Sequence, residues 1–478
     1  MKRTAMLLAI LLALSASSCG GDAPSDSTAA PGADSTEPAL TAPVYPLPEA
    51  DFGGREVNFF LGEEFSKLQV TEENGDIVND AIYQRNRKVE EMYNCKFVYT
   101  LSPCTSSTWN TWFANLESSI LAGDNAIDIA GGYAYRFAAL SITSGLFQNL
   151  LDLPQLDMEK PWWPGNISEA ACVGSKLFMV QGNIDPMFYD CIFTFVFNKD
   201  LAANLKLDFY DIVSSGAWTF DKLEEVAKLG TRDLDGNSTL DEKDQWGFAT
   251  GQYVPVDGFN FSFDLDFVEY DKDGMPSLLP LSEKLTDACT RMKEFLKKSN
   301  TAQHCDEEIK KQMFKDGRAL LISGDLSEIQ ALRDLETDFG IIPYPKWDAK
   351  QAEYLTYSAG VDSATGYCIP VTADGEIGAT LLEALACIGY HEIMPTYYEK
   401  VLKGKNTRDD ESAAMLDVIF NNISFDFTQI YSFAFGDEKA PSMLMRTTIN
   451  NDKEIASAFA ADEQMYKDTI AKLIDALK

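Results

Sequence analysis

The loop Asp233–Asp244 has the side-chain pattern with the clearest chemistry in this sequence, because its oxygen-bearing residues are spaced as a hard cation requires. Numbered as a twelve-residue EF-hand loop, it has acidic or amide side chains at positions 1, 3, 5, 9 and 12 and offers a backbone carbonyl at position 7. The sequence therefore predicts a structural calcium site. Its predicted ligands are Asp233, Asp235, Asn237, Thr239, Asp241 and Asp244.

The loop differs from the EF-hand pattern at two positions. The turn glycine expected at position 6 is Ser238, and Gly236 stands at position 4 instead. Position 12 is Asp244, whose shorter arm is less able than glutamate to offer both oxygens to a metal. The alternative is a turn rich in Asn and Asp with solvated carboxylates. No other cofactor is expected.

Motifs for catalysis are missing from the sequence. Its two histidines are His304 and His391, and "HEIMP" at the second is not a zinc-binding H-E-x-x-H. It has no G-x-S-x-G elbow and no glycine-rich nucleotide loop. These absences argue against a zinc peptidase, an α/β-hydrolase and a nucleotide-dependent enzyme, whereas the prediction that the protein is not an enzyme depends on a family resemblance and on a predicted N-terminal linker, both given below. Carboxylates are abundant, so a glycoside hydrolase with an acidic pair remains an alternative.

Strands and helices alternate in the first third of the chain. The strands are "REVNFFLG", "CKFVYTL" and "AIDIAGG", and the helices are "NDAIYQRNRKVEEMYN", capped by Asn79 or Asp80, and "SSTWNTWFANLESSILAG", ending at Gly123. This order predicts a parallel α/β layer. Because such sheets bind ligands at the carboxyl ends of their strands, "LGEEF" and "GGYAYRF" are candidate binding loops.

A second α/β unit follows, and the C-terminal region is helical. Its strands are "CIFTFVFNKD", "GRALLISGD" and "DFGIIPYP", with a helix at "WTFDKLEEVAKLG" and a last helix near Lys453 to Leu477. Helical spacing of apolar residues around Cys289 indicates a core-facing stripe. That stripe is Leu285, Ala288, Cys289, Met292, Phe295 and Leu296.

Length and charge exclude several classes of protein. From Phe52 onward, about 425 residues are too many for one core and predict two lobes or domains. The net charge of −34 argues against binding nucleic acid or lying on an anionic membrane. Apart from Cys19 there are eight cysteines with no C-x-x-C pair, so neither a disulfide nor a zinc site is assigned.

The N-terminus has the pattern of a secretory signal. Lys2 and Arg3 precede the apolar run Ala5–Leu14, which is too short to span a bilayer. The next residues, Ala-Ser-Ser-Cys, resemble a bacterial lipobox, although Ala16 replaces the usual leucine. We predict a signal peptide over 1–18, lipidation of Cys19 and a flexible linker over 19–51. The alternative is an ordinary signal peptide cleaved nearby.

Several segments, in this order, resemble the extracellular solute-binding proteins, family 1, which serve ABC importers for sugars. They are "NDAIYQRNRKVEEMYNCKF", "SEAACVGSKLFMVQGNIDPMFYDCIFTFVFNKDL" and "MFKDGRALLISGD" followed by "DFGIIPYPK". "KPWWPGN" and "TRDDES" resemble features of a lipid-anchored subgroup. The resemblance covers essentially the whole mature chain.

The resemblance implies an α/β fold of two lobes, of the type II periplasmic-binding-protein kind, with a hinge cleft and a helical C-terminal region. Lobe I is expected to comprise 52–187 and about 356–415, and lobe II 188–355 and about 416–478. A solute held between the lobes stabilises their closure. The expected protein is a monomer anchored by lipid on the extracytoplasmic face of a bacterial membrane, and its partner is an ABC permease.

The resemblance implies a carbohydrate ligand, expected to be an oligosaccharide, and the abundance of aromatic residues in the sequence independently favours a sugar. A sugar offers C–H patches to ring faces and hydroxyls to polar side chains. Trp112 and Trp218 are expected in the core. Adjacent rings cannot both face one core, so Trp162 and Trp163 each either line the cleft or pack beneath it. The predicted ligand-binding residues are Tyr133, Tyr135, Arg136, Trp163, Asn183, Asp185, Tyr189, Trp246, Asp325, Tyr357 and Tyr431.

Two further possibilities stay open at the level of sequence. The solute could be a peptide or a polyol instead of a sugar, and the protein could serve a sensor instead of an importer. For every predicted ligand residue, a structural or surface role is an alternative to ligand contact.

Overall fold

A computed structural model describes residues 45–64, 66–105, 107–164, 166–332, 338–359, 364–397 and 410–478. The predicted signal peptide 1–18, the lipidation site Cys19 and most of the predicted linker lie outside the described residues. The described residues all belong to one compact unit, Tyr45–Lys478.

The strands fall into two main sheets and two short pairs. They are β1 Arg55–Gly62, β2 Cys95–Ser102, β3 Ile129–Tyr133, β4 Phe193–Asn198, β5 Trp246–Gly251, β6 Val268–Tyr270, β7 Pro276–Leu278, β8 Ala302–Cys305, β9 Ala319–Asp325, β10 Phe339–Ile342, β11 Thr356–Tyr357, β12 Thr365–Cys368 and β13 Ile423–Ser424.

Helices connect the strands and make up most of the C-terminal region. They are α1 Ile77–Tyr93, α2 Trp109–Ala122, α3 Ala134–Thr143, α4 Ile167–Ala171, α5 Met187–Asp190, α6 Lys199–Leu205, α7 Phe209–Ser214, α8 Phe220–Gly230, α9 Val254–Ser262, α10 Glu283–Lys298, α11 Glu307–Lys315, α12 Leu326–Ala331, α13 Gly375–Ile388, α14 Asp410–Asn421, α15 Phe427–Ile430, α16 Leu444–Asn450 and α17 Ile455–Asp475. A π-helical turn, Gly389–Ile393, follows α13, and 3₁₀ turns occupy Leu150–Asp152, Ser432–Phe435, Asp437–Lys439 and Pro441–Met443.

The first sheet has the strand order β12-β3-β1-β2. β1 pairs in parallel with both β2 and β3, which confirms the parallel α/β layer predicted from the alternation of strands and helices. β12 returns from much later in the chain and pairs antiparallel with β3. The sheet is therefore completed by a segment that is distant in sequence.

The second sheet has the order β10-β4-β9-β5-β8. β5, β8 and β9 are parallel, whereas β4 runs antiparallel to both β9 and β10. All six residues of β5 are buried between its neighbours. The predicted strands correspond to β4, β9 and β10, while β5 and β8 were not predicted.

Local signals set the helix ends in most places. α2 ends at Gly123 as predicted, and this glycine has a left-handed backbone conformation. The predicted cap of α1 is wrong: the Asp76 side chain accepts hydrogen bonds from Val78 N and Asn79 N at 3.0 Å. Asp76 caps the helix because its extended backbone directs its carboxylate at these free N–H groups.

The core is dominated by aromatic and aliphatic side chains from both sheets. The stripe predicted on α10, from Leu285 to Leu296, is buried at each of its six positions. Trp112 and Trp218 are fully buried, as predicted. The stretch Gly375–Tyr397 has the length and composition of a membrane span, but 72% of its most apolar window is buried inside the protein. It is therefore a core helix of this fold.

Candidate functional site

Parallel strands of the first sheet end at one edge, and the loops that follow them meet there. The register places Leu61 of β1 opposite Gly131 of β3. Cys104 N, just past the end of β2, donates a hydrogen bond of 2.7 Å to Glu64 Oε2, just past the end of β1. The two candidate loops of the first sheet therefore share the carboxyl edge at which α/β sheets bind ligands.

The paired glycines of β3 are required by packing inside the lobe. A Cβ atom at Gly132 would lie 2.3 Å from the Trp112 ring, and one at Gly131 would lie 2.7 Å from Leu61 Cδ2. Glycine lets these side chains approach the strand closely. The two glycines therefore serve packing, because Trp112 fills the space beside Gly132.

Tyr133, Tyr135, Arg136 and Phe433 form a half-buried cluster at this edge, which we name the aromatic platform. The rings of Tyr133 and Tyr135 lie 5.7 Å apart, and the Phe433 ring meets Tyr135 edge-on at 5.8 Å. The Arg136 guanidinium carbon lies over the Phe433 ring, 5.0 Å from its centroid. The structure thus brings together three predicted ligand residues and one, Phe433, that sequence reasoning missed.

Arg136 has no acid partner within the described part of the chain. No carboxylate forms an ion pair with it, and its Nε is buried without a hydrogen-bond acceptor. An unpaired planar donor beside aromatic rings can recognise a ligand with an apolar face and oxygen acceptors.

The parallel strands of the second sheet also end at one edge. Ala249 of β5 lies opposite Ile322 of β9, and the same register places Gln252 level with Asp325. Asp325 caps α12: its Oδ1 accepts a hydrogen bond of 2.9 Å from Glu328 N. Burial raises the pKa of the Asp325 carboxyl. Asp325 is therefore at the predicted edge, but it is already engaged in holding a helix.

A buried lysine stabilises this second edge. Lys310 is fully buried, and its Nζ donates to Ser323 O at 2.8 Å and to Glu328 Oε2 at 3.0 Å. It also forms an ion pair with Glu307. The network ties α11 to the end of β9 and to α12, so the loops at this edge start from a fixed frame.

A polar pocket of about 330 Å³ opens beside the end of β5. Gln252 and Tyr253 directly follow the strand, and Tyr253 is 52% exposed. The other lining residues come from α10, α16 and the turn that contains Glu438. The pocket is lined by Gln252, Tyr253, Lys297, Glu438, Arg446, Thr447, Asn450 and Asn451. None of these residues was predicted from the sequence. Tyr253 was missed because the strand before it, β5, was not predicted.

The family of the chain follows from a comparison with protein-family models. Residues 88–385, more than half of the chain, match the model of a bacterial extracellular solute-binding protein. The chain belongs to this family of bacterial extracellular solute-binding proteins. No curated protein sequence matches it.

Solved structures show the same fold at low sequence identity. An ABC substrate-binding protein of Listeria monocytogenes in complex with cycloalternan has a TM-score of 0.52 and 12% identity, covering 87% of this chain and 99% of its own. RafE of Streptococcus pneumoniae has a TM-score of 0.52, 14% identity, and coverage of 89% and 99%. A cyclo/maltodextrin-binding protein complexed with maltotetraose has a TM-score of 0.56, 13% identity, and coverage of 87% and 97%. The fold is thus the two-lobe periplasmic-binding-protein type.

The predicted ligand residues at the crossing between the sheets of this solute-binding protein are buried. Asp185 Oδ2 accepts hydrogen bonds from Lys67 N at 2.8 Å and from the hydroxyls of Ser66 and Tyr367 at 3.2 Å. Burial raises the pKa of this carboxyl. Because its acceptor atoms are taken up by the protein, Asp185 joins the loop after β1 to β12 in this conformation.

Asn183 and Tyr189 are enclosed in the same region. Asn183 Nδ2 donates to Trp162 O at 2.6 Å. The Tyr189 ring packs on Tyr397 at 5.2 Å, and its buried hydroxyl has no hydrogen-bond partner among the described residues. Burial also raises the pKa of that hydroxyl. Both side chains are therefore buried and neither is exposed at the carboxyl edge of either sheet.

Trp162 and Trp163 of the solute-binding protein are both buried, so the expectation that two adjacent rings cannot share one core is wrong. Trp162 Nε1 donates to Glu383 Oε1 at 3.0 Å, and Trp163 Nε1 donates to Glu383 Oε2 at 3.1 Å. Adjacent side chains point to opposite sides only in extended backbone, whereas these residues lie in a turn closed by Trp163 N and Lys160 O.

The remaining predicted aromatic residues also pack inside the protein. Trp246 Nε1 donates to Asp241 O at 2.8 Å. Tyr357 stacks on Phe261 with ring centroids 4.7 Å apart, and the Tyr431 hydroxyl donates to a backbone carbonyl of α4. Of the predicted ligand residues, Tyr133, Tyr135, Arg136 and Asp325 retain partial exposure.

The acidic loop Asp233–Asp244 brings three of its predicted metal ligands together. Carboxylate oxygens of Asp233, Asp235 and Asp244 lie within 4.8 Å of one another. Both oxygens of Asp244 accept loop N–H groups, those of Leu234 and Asp241, at 2.8 Å. The loop is thus closed by its own hydrogen bonds around a carboxylate cluster.

The other predicted ligands lie in the same turns. Thr239 N donates to Asn237 Oδ1 at 2.6 Å, and Asp241 Oδ1 accepts from Lys243 N at 2.8 Å. Ser238, which replaces the expected glycine, nevertheless has a left-handed φ of 63°. A left-handed backbone at this position is what the glycine of an EF-hand turn provides, and the calcium site stays a prediction.

Proposed function

We propose that this protein is the solute-binding component of an ABC importer and that it captures a carbohydrate between its two lobes. Membership of the extracellular solute-binding family supports the class of function and an extracytoplasmic location. The fold is shared with proteins solved with cycloalternan and with maltotetraose. These likenesses support the proposal, and the aromatic platform supplies the observation from this chain that carries it.

The aromatic platform suits a sugar for a specific physical reason. Tyr133 and Tyr135 offer ring faces that can cover the C–H patches of a pyranose. Arg136 offers planar donors to hydroxyl or ring oxygens without first having to leave a carboxylate. A peptide backbone or an open-chain polyol lacks the combination of a flat C–H face and hydroxyl groups around its edge. We therefore favour a carbohydrate over these solutes.

Calorimetric titration of the purified protein with mono- and oligosaccharides tests the proposal. One sugar class should bind with a measurable Kd and raise the melting temperature, since a ligand at a hundred times its Kd adds about 2.7 kcal/mol of stability. Tyr135→Ala and Arg136→Ala should each weaken binding at least about tenfold, or about 1.4 kcal/mol. No binding by any sugar class would overturn the carbohydrate assignment.

The matched control is a guanidinium–aromatic pair elsewhere on the protein. Arg87 lies over the Tyr83 ring of α1 at 5.6 Å and, unlike Arg136, forms an ion pair, with Glu90. Tyr83→Ala should leave sugar affinity unchanged. Chromatography of the sugar recovered after binding separates the two functional classes: an intact sugar supports a binding protein, and a cleaved sugar would favour the glycoside hydrolase.

The lipid anchor is part of the same proposal. The lipobox-like Ala-Ser-Ser-Cys sequence supports cleavage after residue 18 and acylation of Cys19, and more than one acyl chain gives stable membrane attachment. The anchored monomer would deliver its solute to an ABC permease. In the native host, Cys19→Ala should move the protein from the membrane fraction to the soluble extracytoplasmic fraction. Retention in the membrane would exclude this anchor.

A further inference from the structure

The polar pocket beside β5 is close to the aromatic platform along the chain. Phe433, which belongs to the platform, lies in the 3₁₀ turn Ser432–Phe435. Glu438, which lines the pocket, lies in the next 3₁₀ turn, Asp437–Lys439. Five residues span at most about 17 Å when fully extended, and less when they are coiled in 3₁₀ turns. The platform and the pocket are therefore within reach of one short oligosaccharide.

The charges of the pocket are balanced. Arg446 is 7% exposed, and its Nη1 lies 3.0 Å from Oδ2 of the buried Asp257. Lys297 and Glu438 are both exposed and of opposite sign. The pocket therefore presents neither a net positive site for an acidic group nor a net negative site for an amine. A neutral polar group is its best match.

The hydrogen-bonding groups of the pocket also favour a neutral, hydroxyl-rich unit. Asn450 Nδ2 donates to Gln252 O at 2.8 Å, and Asn451 Nδ2 donates to Thr447 O at 2.9 Å. These bonds hold both amides in place, and neither amide oxygen accepts a hydrogen bond from the described residues. Each amide thus keeps an acceptor and one N–H donor for a ligand hydroxyl.

Tyr253 adds the apolar surface that such a unit requires. It is 52% exposed although it directly follows a strand whose residues are all buried. An exposed tyrosine ring can cover the C–H face of a sugar ring while the neighbouring fixed amides hydrogen-bond to its hydroxyls. The volume of about 330 Å³ is at the lower end of the range for small-molecule sites, enough for a single small unit.

We propose that the polar pocket is an outer subsite that binds one neutral sugar unit of an oligosaccharide. Tyr253 and Asn450 then determine how strongly longer ligands are preferred. This inference rests on the proposed carbohydrate function and deepens it. It assigns the ligand as an uncharged oligosaccharide that extends from the aromatic platform to the polar pocket beside β5.

Calorimetry with sugar ladders tests the subsite. The probes are gluco-, manno-, xylo- and cello-oligosaccharides of one to five units, together with oligogalacturonates of the same lengths. For the ladder that binds, affinity should rise at least about tenfold between the monosaccharide and the length that fills the pocket. Tyr253→Ala should abolish that rise, with at least tenfold loss for the longest member and at most twofold loss for the monosaccharide.

Further variants keep the test independent of folding. Asn450→Ala should reduce the same gain with length, and Tyr270→Ala, which removes a tyrosine 37% exposed in β6, should not. An equal loss for short and long sugars, no loss at all, or a preference for oligogalacturonates would overturn the subsite. A wild-type protein that binds no ladder would instead overturn the carbohydrate function itself.

Discussion

Glu383 is expected to make the stability of this protein depend on pH between about 4.5 and 7. Its side chain lies beneath the turn that contains Trp162 and Trp163, and the residue is 3% exposed. It accepts both indole N–H groups and, at 3.3 Å, the backbone N–H of Asp157. Burial nevertheless raises the pKa of its carboxyl from 4.5 to about 7, because desolvation outweighs these donors.

The direction of the effect follows from proton linkage. Between pH 4.5 and 7 the folded protein keeps a proton on Glu383 that the unfolded chain has lost, so stability falls as pH rises. The contribution of Glu383 to the free energy of unfolding is fully present below pH 4.5 and is lost as the pH rises through 7. If this rise in the pKa acted in full, it would change the free energy of unfolding by about 3 kcal/mol. Relaxation of the protein and water penetration around the ionised carboxylate lower the expected change to about 2 kcal/mol.

The variant Glu383→Gln removes the titration and keeps the shape. In the same orientation its amide NH2 would face one of the two indole N–H groups, which loses its acceptor at a cost of about 1 kcal/mol at every pH. Urea unfolding followed by tryptophan fluorescence at pH 5, 6, 7 and 8 gives the free energy of unfolding of both proteins. The difference between wild type and variant should shift by about 2 kcal/mol in favour of the variant from pH 5 to 8.

Other titrating groups cancel in this comparison, because both proteins contain them. The matched control is Glu376→Gln, which changes an exposed carboxylate in the first turn of the same helix. The difference in free energy of unfolding between Glu376→Gln and wild type should not change with pH. If the Glu383→Gln difference is also the same at pH 5 and pH 8 to within about 0.5 kcal/mol, the carboxyl does not titrate as its burial requires.

Three further predictions test other parts of the molecule. Millimolar calcium should raise the melting temperature through the acidic loop, and Asp244→Asn should abolish that rise; an equal response in the variant would exclude the site. Gly132→Ala should lower the free energy of unfolding by about 1–3 kcal/mol, because its Cβ would meet Trp112 at 2.3 Å. Lys310→Met should cost about 2–4 kcal/mol, measured by urea unfolding, because it leaves Glu328 beside an apolar chain. A loss below about 0.5 kcal/mol for either substitution would contradict its packing or charge argument.

Patterns confined to a few residues were predictable from the sequence. The strand at Arg55–Gly62, the end of α2 at Gly123 and the buried stripe around Cys289 all follow the predicted bounds or faces. Each depends on side-chain periodicity or on a backbone preference that acts within one element. The alternation of strands and helices was likewise enough to predict the parallel layer of the first sheet.

The candidate site was only partly predictable. Tyr133, Tyr135 and Arg136 were found because they follow a recognisable strand, and a parallel sheet places ligands at that edge. Phe433 completes the aromatic platform from near the other end of the chain, and no local pattern marks it. Tyr253 was missed with β5, whose short run contains two glycines and gives a weak strand signal.

The sequence by itself determined the class of fold, the elements of the first sheet and three residues of the platform, because local periodicity and strand order encode them. Only the tertiary structure decided which buried groups meet. Trp162 and Trp163 converge on Glu383, which is distant in sequence, and Trp112 fills the space beside Gly132. Such contacts depend on how distant segments pack, and a side chain's neighbours across the core leave no trace in its own stretch of sequence.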